Sequence, residues 1–196
     1  EWFTYYLQEE GPKPWLGVEI QSNQGPWRFE DRYPMTDTTE LIWELGSADL
    51  ASAGGGNTIR PDASSGPVYE TPPLEEDLYF GGLPRLHVNV NTATVGGQIY
   101  ALLEDCDGAN CIHIGHAIMD LRYHAGGDDE QTWTPVFEEI TALMEFFPMD
   151  VEVPAGHTIK LTLRSTGEDY LPSAASTLVT VVDAGSTLQL DTFDPD

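Results

Sequence analysis

Apolar and polar positions alternate along most of the second half of the chain. The runs PRLHVNVNTATV (84–95), GQIYALLEDC (97–106), CIHIGHAIMDLRY (111–123), HTIKLTLRS (157–165), ASTLVTVVDA (175–184) and STLQLD (186–191) are rich in β-branched and aromatic residues. A period of two marks strands with one face buried. Gly96–Gly97, the run from Ala125 to Asp129, and Ala155–Gly156 punctuate them. Turn signals about every 8–14 residues belong to a sandwich or jelly roll, not to a βαβ fold. The expectation is two packed antiparallel sheets, with residues 84–123 and 157–191 supplying most strands.

Earlier segments are more mixed. EWFTYYLQEE (1–10) has the composition for about two helical turns, stopped by Gly11–Pro12, and on its own so short a helix is marginal. KPWLGVEI (13–20) reads as a strand, GPWRFEDRYP (25–34) as an aromatic turn, and ELIWEL (40–45) as a second strand. From Gly46 to Pro67 the composition shifts to Gly, Ala, Ser and Asp, with GGGN at 54–57 marking a surface loop. One stretch is ambiguous: PVFEEITALMEFFPMDVEV (135–153) fits a short helix as well as two strands.

Charge changes the picture of partners. The chain has 33 Asp plus Glu against 8 Lys plus Arg, a formal net charge of −25, and its lysines are Lys13 and Lys160. Such a surface repels nucleic acid and anionic lipid, so neither is an expected partner. No run of apolar residues is long enough for a membrane span. Two readings of the acidity remain: adaptation to high salt, or a surface for Ca²⁺ or another hard cation. The acids are scattered over strands, turns and tail, which favours solvation. Asp105, Asp107, Asp128 and Asp129 are the candidate Ca²⁺ ligands, because they cluster in loop regions. The Asp105–Asn110 string lacks the bidentate Glu of an EF-hand, so a plain Asp-Gly turn is the simpler reading there.

Cys106 and Cys111 flank that turn, with four residues between them. The spacing suits a disulfide across the base of a hairpin loop; without a second pair or matching His spacing, a zinc half-site is weak. A bridge would place the chain in an oxidising compartment, extracellular or at the cell surface. The chain opens on Glu1, with neither an initiator Met nor a basic n-region, and so reads as a mature product or a fragment.

Catalytic signatures are missing. No Ser sits in G-x-S-x-G, and there is no GxxxxGK[ST], no GxGxxG after a strand and no HExxH. On a straight strand His113 and His116 point to opposite faces, so they are not expected to share a metal. No catalytic residue and no resident cofactor is therefore assigned. Aromatics are concentrated in the first 33 residues, among them Trp2, Phe3, Tyr6, Trp15 and Trp27. Exposed Trp and Tyr on a β face bind sugars by stacking, but a segment that packs on a neighbouring domain has the same composition. The interface reading is preferred.

These motifs, in order, resemble the C-terminal β-jelly-roll region of the X-Pro dipeptidyl-peptidase and cocaine-esterase family of serine hydrolases. WFTYYLQ (2–8) looks like the family's WFDxWL helix, and GPWRFEDRYP like the segment leading into its jelly roll. ETPPLEEDLYFGGLPRLHVNVNT (70–92) is similar to its TPPL stretch. ALLEDCDG (101–108) and IGHAIMDLRY (114–123) look like two of its strands, and VPAGHTIKLTLRS (153–165) like its AGH hairpin. The resemblance implies an all-β, galactose-binding-like jelly-roll sandwich with a short N-terminal helix. It divides the chain into 1–34, the end of the hydrolase domain plus connector, and 35–196, the jelly roll. It further implies a non-catalytic domain that packs on an α/β-hydrolase domain, of the same or a cleaved parent chain, and shapes its active site. The Ser, Asp and His of the family's triad lie upstream of the helix, so none maps here. The cysteine pair, excess acid and scarcity of Lys depart from the family pattern and point to a secreted, salt-adapted member. RSTGEDYLPSAAS (164–176) departs from the family's loop, which puts an active-site role for it in doubt. The alternative is a stand-alone module on the same fold, binding carbohydrate, a divalent cation or copies of itself.

Overall fold

A computed structural model describes residues 2–25, 27–61, 66–124, 135–167, 170 and 177–195. In chain order the elements are helix α1 (Trp2–Gln8) and strands β1 (Val18–Gln21), β2 (Trp27–Glu30), β3 (Thr39–Glu44), β4 (Ala51–Gly54), β5 (Thr58–Ile59) and β6 (Val68–Glu70). The long strands follow: β7 (Leu78–Thr92), β8 (Gln98–Asp107), β9 (Asn110–Asp120), β10 (Glu139–Glu145), β11 (Met149–Val153), β12 (Thr158–Arg164) and β13 (Val179–Thr192). One sheet runs β10-β7-β13-β3, with β11 also on β7 and β5 on β13; the other runs β4-β6-β12-β8-β9. Every pairing between these strands is antiparallel. The all-β sandwich with one short N-terminal helix agrees with the sequence pattern, and the expected regions 84–123 and 157–191 supply β8, β9, β12, β13 and most of β7.

Alternation builds the core. Leu86, Val88 and Val90 of β7 face inward in one sheet, against Ile99, Ala101 and Leu103 of β8 and Ile159, Leu161 and Leu163 of β12 in the other. Each inward aliphatic side chain contributes about 1.5–3 kcal/mol of transfer free energy. The ambiguous stretch 135–153 resolves as β10 and β11. Ile140, Ala142 and Met144 are buried and Glu139, Thr141, Leu143 and Glu145 exposed, a strict period of two against β7. A helix would have spread those three side chains around its axis.

Two sequence expectations shift in detail. The β8–β9 hairpin turns on Gly108–Ala109, one residue later than the Asp107–Gly108 signal, with Gly108 at φ +57°. Cys106 and Cys111 then sit opposite each other in register and are disulfide-bonded. Residues 179–184 of the first run and the run 186–191 belong to one strand, β13, broken by a bulge between Val182 and Thr187; residues 175 and 176 lie outside the described residues. The bulge exchanges the inward parity from Val179 and Val181 to Leu188 and Leu190. Its freed groups are satisfied locally: Ser186 Oγ donates to the Val182 carbonyl at 2.6 Å and accepts from Asn89 N–H at 2.9 Å.

That bulge also delivers Asp183 to Tyr69 of the opposite sheet, whose hydroxyl donates to Asp183 Oδ1 at 2.5 Å. Burial first, and the adjacent carboxylate second, push the Tyr69 hydroxyl far above its ordinary value, so it stays a donor. Tyr69→Phe should cost about 1.5–3 kcal/mol in urea unfolding, since it strips a buried bond to a charged acceptor. Asp183→Asn should cost less, because an acceptor remains. Thiol titration of the unreduced, unfolded chain should find no free cysteine. The double Cys106→Ser, Cys111→Ser variant should lose about 2 kcal/mol while keeping its strand spectrum.

Candidate docking surface

Residues before β3 attach to the sandwich through polar contacts at the edge of the first sheet. β1 and β2 form a hairpin, and its turn residue Asn23 behaves as a surrogate strand for β11. Asn23 Oδ1 accepts from Glu152 N–H at 2.8 Å, Asn23 Nδ2 donates to the Glu152 carbonyl at 3.1 Å, and Asn23 N–H donates to the Asp150 carbonyl. The edge of β11 is thereby covered rather than left open to another strand.

Arg28 of β2 is the second anchor. Its Nε donates to Glu30 at 2.9 Å, Nη1 donates to Asp150 Oδ1 at 2.9 Å, and the guanidinium lies 4.1 Å over the Phe193 ring. Asp150 is almost fully buried; burial pushes its carboxyl up and Arg28 only partly offsets that. Tyr33 is the third anchor. Its hydroxyl lies 2.9 Å from the carbonyls of Gly82 and Met149 and accepts from Gly82 N–H at 3.0 Å. Gly82 lies beside an irregularity in the β7–β13 ladder, between Gln189 and Asp191, and Met149 is its partner in β11. Arg28, Glu30, Met35, Tyr79, Asp150 and Phe193 line a groove of about 910 Å³ beneath the hairpin. Arg28 is shared there between two carboxylates, Glu30 and Asp150, and so clamps the hairpin to the sandwich.

Most of the N-terminal aromatics are exposed. α1 buries none of its residues, and Trp2, Phe3, Tyr6 and Leu7 are all exposed, Phe3 at 70%. Trp2 packs against Tyr6 one turn along, the rings tilted at 37° with centroids 4.8 Å apart. On the hairpin, Trp15, Leu16, Trp27 and Phe29 are likewise exposed, and Trp15 meets Phe29 edge to face at 5.7 Å. Gly17 permits this packing, because a Cβ there would stand 1.8 Å from the Trp15 ring. The five aromatics selected from the sequence thus share an N-terminal region that the jelly roll leaves largely uncovered. Arg28, Asn23 and Tyr33, which hold the hairpin and the segment after it in place, were not selected. The only sequence signal for Arg28 is a cation inside an aromatic run on an acidic chain.

The candidate cation ligands do not converge. Asp105 is buried and its Oδ1 lies 2.7 Å from His157 Nδ1, while Asp107 is exposed at the hairpin turn. Asp128 and Asp129 lie outside the described residues. Among the described residues, no three His, Cys, Asp or Glu side chains form a metal cluster. The His113–His116 expectation needs correction. Between Leu103 and Glu104 the β8–β9 register slips by one residue, a bulge at Ile114 that turns both histidines to the same outer face. Their facing nitrogens, His113 Nε2 and His116 Nδ1, are 3.2 Å apart.

Residues 11–195 match the family described as the X-Pro dipeptidyl-peptidase C-terminal non-catalytic domain. No curated protein matches the sequence significantly. Among solved structures, an aminopeptidase from a marine sediment Thaumarchaeota archaeon superposes with a TM-score of 0.75 at 12% identity, covering 98% of this chain and 43% of that one. A CocE/NonD family hydrolase from Staphylococcus aureus gives 0.74 at 12% identity, covering 98% and 44%. An α-amino acid ester hydrolase gives 0.64 at 12% identity, with the same coverage. The chain therefore spans less than half the length of the structures it resembles. On the match over 11–195, this chain belongs to the family of X-Pro dipeptidyl-peptidase C-terminal non-catalytic domains.

Proposed function

We propose that the chain is the accessory jelly roll of a secreted, salt-adapted serine peptidase or esterase, docked on an α/β-hydrolase domain of the same or a cleaved parent chain. The observation that carries the reading is the cluster of exposed apolar side chains on α1 and the β1–β2 hairpin. Trp2, Phe3, Leu7, Trp15, Leu16, Trp27 and Phe29 are all more than 45% exposed, and Trp27 and Phe29 stand on a hairpin fixed by Asn23 and Arg28. Exposed apolar patches on an anchored platform mark protein interfaces, and Trp and Tyr are the usual anchors. The surface lies at the N-terminal end, where the hydrolase domain of such enzymes would adjoin. A domain seated there covers one side of the hydrolase and shapes access to its active site. The disulfide supports an oxidising, extracellular or cell-surface location, and the acidity supports a high-salt setting.

The isolated chain should hydrolyse neither X-Pro amides nor short acyl esters. Turnover blocked by a serine-directed phosphonate would overturn the accessory reading. Co-purified with the hydrolase domain encoded upstream, the chain should form a complex that Trp27→Ala or Phe3→Ala weakens by about tenfold or more. An upstream frame without a nucleophile elbow would instead favour a stand-alone or self-associating module.

Salt supplies an independent check. The charge of −25 repels itself, and molar salt shortens the Debye length to about 3 Å. The melting temperature should climb steadily with KCl over the molar range. A saturable rise at millimolar Ca²⁺ in constant salt, removed by Asp→Asn changes at Asp105, Asp107, Asp128 and Asp129, would identify a Ca²⁺ site instead.

A further inference from the structure

The bulge in β9 creates an arrangement the accessory role does not use. His113 and His116 project from the outer face of the second sheet, with His113 Nε2 and His116 Nδ1 3.2 Å apart. Two nitrogens each about 2.0–2.1 Å from one ion, at angles between square-planar and tetrahedral, are about 2.9–3.4 Å apart. The observed spacing falls in that range. The local sequence builds it: Ile114 turns toward the core as the extra residue, and Gly115 admits Met149, whose Cε would meet a Cβ at 2.2 Å.

The surroundings fix one of the two rings. His116 stacks on the nearly buried Tyr100 at a centroid distance of 5.4 Å and packs against Phe147 at 5.0 Å. Its other nitrogen, Nε2, lies 3.1 Å from the Tyr170 hydroxyl. When Nε2–H donates to that oxygen, Nδ1 presents a lone pair toward His113, the outer-shell arrangement that orients metal-binding imidazoles. His113 is exposed, so its ring can turn to complete the pair. Its cross-strand partner is Glu104, which is held by Lys160 at 2.9 Å. The acidic surface raises the local concentration of any cation.

We propose that His113 Nε2 and His116 Nδ1 form a two-imidazole site for a borderline divalent transition ion, Zn²⁺, Cu²⁺ or Ni²⁺, with open positions left to water or a further ligand. Imidazole selects these ions over Ca²⁺ and Mg²⁺, which prefer oxygen. The site is separate from the docking surface and from the carboxylates discussed above.

The test is calorimetric titration of the intact chain with ZnCl₂ and with CuCl₂ at high salt, together with electron paramagnetic resonance of the Cu²⁺ form. One saturable ion per chain is expected, with superhyperfine splitting from two imidazole nitrogens and no displacement by equimolar Ca²⁺. His113→Ala, a change at an exposed position, should melt like the unmodified protein without metal. It should lose affinity by about tenfold or more and show one nitrogen fewer. Tyr170→Phe should weaken binding while leaving the nitrogen count at two, and Glu104→Gln should also leave it at two. Unsaturable uptake, oxygen-only coordination, or binding equal in His113→Ala would overturn the proposal.

Discussion

A strand sends successive side chains to opposite faces, and in this sandwich the inner faces must be filled without gaps. Every place where the period of two is interrupted costs ladder hydrogen bonds, and those groups must find new partners. Three interruptions position much of what distinguishes this molecule. In β13 the bulge after Val182 brings Asp183 to Tyr69 across the sheets. In β7 the irregularity lies beside Gly82, whose backbone groups bond to Tyr33. In β9 the extra residue Ile114 places two histidines on one face. The regular parts of the sheets supply stability, and the irregular parts supply contacts that alternation alone would not make.

Electrostatics follows a similar economy. Three of the eight Lys and Arg side chains are placed beside a carboxylate that is partly or wholly buried. Arg28 pairs with Asp150, Lys160 with Glu104, and Arg122 with Asp120. Burial pushes the Asp120 carboxyl up, but the hydrogen bonds and charge of Arg122 outweigh it and hold the group below its usual range. Asp150 goes the other way, because its desolvation exceeds what Arg28 returns. Among the described residues many other acids, such as Glu19, Glu40, Glu44 and Glu145, are exposed, where repulsion between them is tempered by water and salt.

Two of the motifs that carry the family resemblance, TPPL and AGH, form one structural unit. Gly156 N–H donates to the Leu74 carbonyl, Leu74 N–H to the His157 carbonyl, and Ala155 N–H to Asp77 Oδ1 at 2.8 Å. The TPPL segment is thus laced to the AGH turn, and His157 caps Asp105 beneath it. The acid and imidazole of that pair hold strands together rather than serve a nucleophile, in keeping with a non-catalytic domain.

The sequence by itself determined the fold class, the regions that became long strands, the cysteine pair and the family. Each depends on local order: alternation, turn residues and short motifs are written in neighbouring positions. It also located the exposed aromatics, because their density near the N-terminus needs no three-dimensional information. Only the tertiary structure decided that 135–153 is two strands, since the edge of β7 had to be present to pair with them. The anchors Asn23, Arg28 and Tyr33 were equally illegible, for their partners lie 49 to 129 residues away. The histidine pair shows the same limit. A one-residue bulge leaves no periodic trace in a short apolar run, yet it reverses the face to which every later side chain points.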